Sequence, residues 1–122
     1  MFDFTLGHYN RLRLRAVQAW PLEICGFIMS DGAIIEIDNI AENPYDNFVM
    51  DLDDIGDKVD VTDIAAIWHT HPGGDISPSD ADLRAIGLCE WDYVIVTADE
   101  VAVCETQSGR LWFVYAHDEQ PV

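Results

Sequence analysis

Apolar residues recur along this chain in two rhythms. Leu6, Tyr9, Leu12, Ala16 and Trp20 fall three or four apart, with arginines between them. That spacing predicts an amphipathic helix from Leu6 to Trp20. Pro21 ends it, because proline has no amide hydrogen to donate to a further turn. The rhythm then changes. Residues 24–29 (ICGFIM) and 33–40 (AIIEIDNI) are β-prone runs separated by Ser30-Asp31-Gly32, which predicts an antiparallel hairpin. A third strand is expected at Phe48, Val49 and Met50, after the turn-forming Asn43-Pro44-Tyr45. Residues 51–63, DLDDIGDKVDVTD, are too polar for a core and read as a short helix or a loop with solvated aspartates. The nearly continuous apolar run IAAIWH, residues 64–69, predicts a buried strand. SPSDADLRAIGLCE, residues 77–90, reads as a helix start followed by a helix. YVIVT and VAVCE predict two strands around an Asp99-Glu100 turn, and Ser108-Gly109 introduces a last strand, RLWFVYA.

Helices interspersed with strands predict a mixed α+β or α/β domain with helices packed on a sheet. The order of the strands is not readable. At 122 residues, 49% of them apolar, the chain is the size of one domain with one core, residues 1–122.

Charge narrows the function classes. With 23 acidic and 6 basic residues the formal charge is −17, so the surface repels phosphate backbones and nucleic acid is not an expected partner. Arg11, Arg13 and Arg15 read as a solvated helix face balanced by nearby acids. The acidic excess suits a high-salt habitat and a docking face for basic partners equally well. No stretch approaches the roughly 18 to 20 apolar residues that cross a bilayer, so no membrane association is expected. The opening MFDFTLGHYNRLRLR lacks the order of a secretory signal, and a cytoplasmic protein is the expectation. Cys25, Cys89 and Cys104 are odd in number and widely spaced; they read as buried apolar side chains, not a disulfide framework.

The chemistry concentrates in residues 69–82, HTHPGGDISPSDAD. On an extended chain, side chains two apart share a face, so His69 and His71 can aim at one point while Thr70 faces away. Ser77 or Ser79 can cap the helix that follows, and Ser79 and Asp82, three apart, share a helical face. Folding back the flexible Gly73-Gly74 loop would bring Asp82 to the imidazoles. Two nitrogens and one carboxylate oxygen suit zinc, which in catalytic sites typically takes three protein ligands and keeps a position for water. His8 and His117 have no such company and are expected at the surface.

His69-Thr70-His71-Pro72, six residues, Ser79, two residues and Asp82 together resemble HxHPx(6)SxxD, the signature of the JAMM metalloproteases of the JAB/MPN family. Glu23 in PLEICGF looks like that family's upstream ExCG segment, and the resemblance spans roughly Trp20 to Thr97. It implies a curved mixed β-sheet flanked by helices, of the cytidine-deaminase-like type. It further implies zinc on His69, His71 and Asp82, Glu23 as general acid/base and Ser79 as a stabiliser of the oxyanion. The implied activity is that of a zinc metallopeptidase or isopeptidase, cleaving an amide bond in a protein or peptide, such as a ubiquitin-like or Gly-Gly-ended tail. EICGFIMSDG, NIAENPYDNFVMD and HTHP also resemble the JAMM-type domain of phage tail-assembly proteins of the lambda K kind, which implies a phage or prophage context. Two other readings stay open. One is a metal-free MPN-type binding scaffold, although every ligand type is kept here. The other is a RadC-like protein, whose motif is similar but whose preceding segment does not match and whose link to DNA the negative charge opposes. Oligomeric state, physiological substrate and whether residues 41–63 cover the cleft are not readable.

Overall fold

The computed structural model describes residues 4–80, 82–84, 90–105 and 111–116; for residue 105 and for the last segment the description is of the backbone. The architecture is mixed α+β. Helix α1 (Leu6–Ala19) is followed by strands β1 (Cys25–Met29) and β2 (Ile34–Ile37), helix α2 (Leu52–Lys58), a 3-10 turn (Val61–Asp63) and strand β3 (Ile64–Thr70), then by β4 (Asp92–Val96), β5 (Glu100–Glu105) and β6 (Leu111–Ala116). The six strands form one sheet in the order β2-β1-β3-β4-β5-β6. Only β3 and β4 run parallel; the other pairs are antiparallel. A parallel pair needs a crossover, and residues 71–91, which contain two of the three candidate ligands, His71 and Asp82, connect the two strands.

Helix α1 begins where Thr5 and His8 cap each other: His8 N–H donates to Thr5 Oγ1 and Thr5 N–H donates to His8 Nδ1. Its apolar stripe, Tyr9 and Leu12, is fully buried with Ile28, Trp68, Val94, Val96 and Val101 on one face of the sheet. Tyr93, Ile95, Ala102 and Cys104 pack on the other face. Cover on both sides is why β3 and β4 read as unbroken apolar runs. Phe27, Ile37 and Ile64 form a third cluster, joined by Ile55 and Val59 of the α2 region. No helix among the described residues is long and apolar enough to cross a membrane.

Two expectations are corrected here. Residues 48–50 do not form a strand; they contribute a single bridge, Asn39 to Met50. The reason is local: the Asn39 side chain, not a ladder, receives the Val49 amide at 3.0 Å. His8, expected at the surface, is buried. Its Nδ1 serves the cap and its Nε2 lies 2.8 Å from the Gly32 carbonyl oxygen, so both ring nitrogens have structural duties. Cys25 and Cys104 are buried as expected. Arg15 pairs with Glu36 at 2.8 Å. The helix expected across residues 77–90 is seen at residues 80 and 82–84. Residues 77–79 and 90 of that segment are not helical; residues 81 and 85–89, with Cys89 among them, lie outside the described residues, as do His117 and the Ser108-Gly109 turn.

Gly26 sits between β2 and β3, opposite Glu36 and Trp68. A Cβ there would overlap the Ile35 carbonyl oxygen and come within 2.9 Å of the Trp68 ring. Only glycine lets three strands close at this point, next to Cys25 and two positions beyond Ile24. Gly26→Ala is therefore expected to destabilise the protein by about 2–3 kcal/mol. Chemical denaturation, read as a shift in midpoint at constant slope, measures it.

Candidate metal centre

The C-terminal end of β3 delivers the two histidines. His69, its penultimate residue, is buried in the sheet face opposite α1, between Phe48 and Tyr93. The Phe48 ring stacks on it at 4.6 Å and 25°. Thr70 faces the other way, and its Oγ1 accepts the Ile24 amide at 3.0 Å, which ties β3 to the segment carrying Glu23. His71 lies one residue past the strand, its amide on Val96 O at 2.8 Å. Its ring returns to the same point as His69, with the two Nε2 atoms 2.9 Å apart. The chain reverses after it at Gly74, whose φ of 85° is open to glycine and strained for other residues.

Asp82 completes the group from the start of the helix at residues 80 and 82–84. Ser79 and Asp82 cap that helix reciprocally: Ser79 N–H donates to Asp82 Oδ2 at 2.9 Å, and Asp82 N–H donates to Ser79 Oγ at 3.1 Å. This holds the carboxylate toward the histidines, with Oδ1 3.2 Å from His69 Nε2 and Oδ2 3.1 Å from His71 Nε2. Tyr93 from β4 donates its hydroxyl to Oδ1 at 3.1 Å.

Do these residues fit a metal? Tetrahedral zinc with ligands about 2.0–2.1 Å away places neighbouring ligand atoms roughly 3.3–3.4 Å apart. The observed separations of 2.9–3.2 Å need an expansion of only a few tenths of an ångström. The ligand atoms all lie within 4.8 Å of one another, and among the described residues this is the group of three able to hold an ion. The far side of the His71 ring agrees: its Nδ1 lies 2.8 Å from the Asp75 carbonyl oxygen, which favours the proton on Nδ1 and leaves the Nε2 lone pair for a metal. His69 Nδ1 is buried with no hydrogen-bond partner among the described residues. That orphan costs on the order of 1–3 kcal/mol, a local conflict tolerated where the ring's other nitrogen is needed.

The electrostatics follow from burial and these contacts. Burial works to raise the Asp82 carboxyl, but hydrogen bonds from His69, His71 and Ser79 outweigh it and hold the group well below the usual carboxylate range. Burial pushes His69 below the ordinary imidazole value despite Asp82. It pushes His71 the same way, yet Asp82 and the Asp75 carbonyl raise that ring overall. Glu23, just before β1, is only 7% exposed. Burial raises its carboxyl to about 7; His71 opposes that, while Asp82 and Asp46 add to it. Cys25, two residues on, is pushed up to about 12 by burial and the acids around it, which makes it an inert thiol.

Glu23, Asp46, Phe48, His69, His71 and Asp82 line one cavity of about 290 Å³, which Ser79 also reaches. Every residue singled out from the sequence as metal-ligating or catalytic thus lies at one cleft. Sequence reasoning missed three others. Tyr93 and Phe48 come from distant segments with no spacing signal. Asn39 fastens the loop: its Nδ2 donates to the carbonyls of Glu23 (2.9 Å) and Asn47 (3.0 Å), and its Oδ1 accepts from Ala41 and Val49.

A mixed sheet that brings two histidines from the end of a central strand and an aspartate from the following helix to one cleft presents a group of three side chains able to hold a metal ion. The family model described as prokaryotic homologs of the JAB domain matches residues 5–115, and the chain belongs to that family. Among solved structures it is similar to the solution structure of protein DSY2949 from Desulfitobacterium hafniense, at 20% sequence identity and a TM-score of 0.59, covering 95% of this chain and 90% of that one. This likeness is one of fold. No curated protein matches the chain.

Proposed function

We propose that the protein is a zinc-dependent amide hydrolase of the JAMM type, acting on a protein or peptide tail. The observation that carries this reading is the convergence of His69, His71 and Asp82 in a cleft that also contains a buried carboxyl, Glu23, poised near neutrality. Zinc held by the three ligands would lower the pKa of a water from about 15.7 to about 7 and polarise the scissile carbonyl. Glu23 accepts the proton of the attacking water and passes it to the leaving amine, a task suited to a group titrating near the working pH. Ser79 Oγ accepts from the Asp82 amide, so its own O–H remains available to donate to the developing oxyanion.

Asp46 and Phe48 wall the cleft beside the ligand group, and the substrate class we assign to it is a tail with small residues at the scissile bond, as in a Gly-Gly-ended tail. Resemblance to the phage tail-assembly domains makes cell-wall peptides a second candidate class. The test is cleavage profiling by zinc-loaded protein across Gly-Gly-linked, isopeptide and cell-wall peptide libraries, with Glu23→Gln as the blank. Cleavage that the blank shares, or none in any library, counts against a hydrolase. A binding scaffold is the competing reading, and a chain that stays metal-free in excess zinc at neutral pH would favour it.

Zinc affinity should depend on pH in a definite direction. Since His71 holds its proton more tightly than an ordinary imidazole, zinc must displace that proton on the acid side of its titration. Apparent affinity is expected to weaken by about ten-fold per pH unit for each imidazole that titrates. Competition with a chromophoric chelator between pH 5 and pH 8 would show it; a flat profile would exclude imidazole ligands.

A further inference from the structure

A second cavity, of about 330 Å³, adjoins the first: both are lined by His71 and Pro72. It is walled by Val17 and Trp20 near the end of α1 and by Thr97 and Asp99 at the β4–β5 turn. Val17 and Trp20 are 57% and 66% exposed, a cost for apolar side chains that nothing in the core explains. The indole is nonetheless fixed, because its Nε1–H donates to the Pro72 carbonyl at 3.2 Å. The opposite wall is fixed too. Asp99 N–H donates to Thr97 Oγ1, and the Asp99 carbonyl accepts the Tyr9 hydroxyl at 3.2 Å. Among the described residues Asp99 is the only acidic one lining this cavity, and no lysine or arginine lines it. Arg13, on the same helix, donates to the Ala98 carbonyl and lies over the Tyr9 ring.

An apolar hollow with an aromatic wall and one carboxylate matches one kind of side chain. A long methylene stem packs on Val17 and Trp20, a cationic head meets the indole face and Asp99, and the chain's net charge of −17 draws the ligand in. A purely apolar side chain would instead strip water from Asp99 without replacing it, and an acidic one would face a like charge. We propose that this cavity is a specificity pocket for a lysine or arginine of the peptide substrate, adjacent to the bond held at the metal centre. The bond's position rests on the hydrolase reading; the pocket's preference does not.

The test reads binding alone. Zinc-loaded Glu23→Gln protein, and the same protein in EDTA, is titrated with capped Gly-Gly-Lys and Lys-Gly-Gly peptides and with their arginine, norleucine and glutamate counterparts. The Trp20 indole resonance, identified by its loss in Trp20→Phe, is the reporter. Lysine or arginine peptides should shift that resonance and bind about five-fold or more tighter than norleucine peptides. Asp99→Asn should erase the preference while leaving norleucine binding within about two-fold. Equal or tighter norleucine binding, a preference that survives Asp99→Asn, or no binding at all would overturn the proposal. Cleavage of Gly-Gly peptides without any cationic preference would sink the pocket and spare the hydrolase; cationic preference in a protein that cleaves nothing would do the reverse.

Discussion

Asp82→Ala is expected to lower zinc affinity by about a thousand-fold or more, because a set of three ligands that loses one also loses roughly a quarter to a third of the binding free energy. The effect reaches beyond the metal. Asp82 is the common acceptor of the Tyr93 hydroxyl and the Ser79 amide, and both histidine Nε2 atoms lie on it. Removing it takes the acceptor from the buried His69 ring and from the Ser79 amide, and breaking a buried pair of this kind costs about 3–5 kcal/mol. The metal-free variant should therefore melt well below the parent. His71→Ala separates the two consequences. That ring lies beyond the end of β3, is partly exposed, and its partners are the Asp75 carbonyl and the other two members of the ligand group, so its loss should remove zinc and leave the fold standing. Metal content after dialysis against a limiting chelator, read beside far-UV circular dichroism, distinguishes the cases. Folded His71→Ala protein that keeps one zinc per chain at parental affinity would refute the ligand set.

The site was more legible than the fold that holds it, and the reason is sequence distance. His69 and His71 meet because an extended chain repeats every second residue, and Asp82 is aimed by its cap with Ser79, three residues away. Both are local rules. Glu23 reaches the cleft only through pairing of β1 with β3, where Cys25 sits opposite His69, and no local pattern announces that. The same holds for Tyr93, which meets Asp82 because β3 and β4 pair in parallel, and for Phe48, which folds onto His69 from a loop that reads as a strand. His8 misleads for a different reason. It takes the place that glutamate or glutamine usually fills in a capping box, and nothing in its neighbours reveals that the ring will turn inward to Gly32.

Glu23→Gln is expected to reduce kcat by at least about a hundred-fold, the lower bound of general acid–base catalysis, with zinc content and KM little changed. The same substitution should strengthen the fold, by an amount that grows with pH. The Glu23 carboxyl is raised from 4.5 to about 7 in the folded protein. Between those values the folded state holds a proton that the unfolded chain has released, so stability declines as pH rises through this window and levels off above it. The accumulated cost is about 3 kcal/mol at most, since each pKa unit corresponds to about 1.4 kcal/mol and the open cleft admits some water. Glutamine does not titrate. Measured in EDTA, the variant should gain stability over the parent between pH 5 and pH 8, and a bound divalent ion should shrink the gain by favouring the carboxylate. Urea denaturation of both proteins at the two pH values yields the difference. A gap that does not change with pH would mean that Glu23 does not titrate from a buried site, and undiminished turnover would place the general base on another residue.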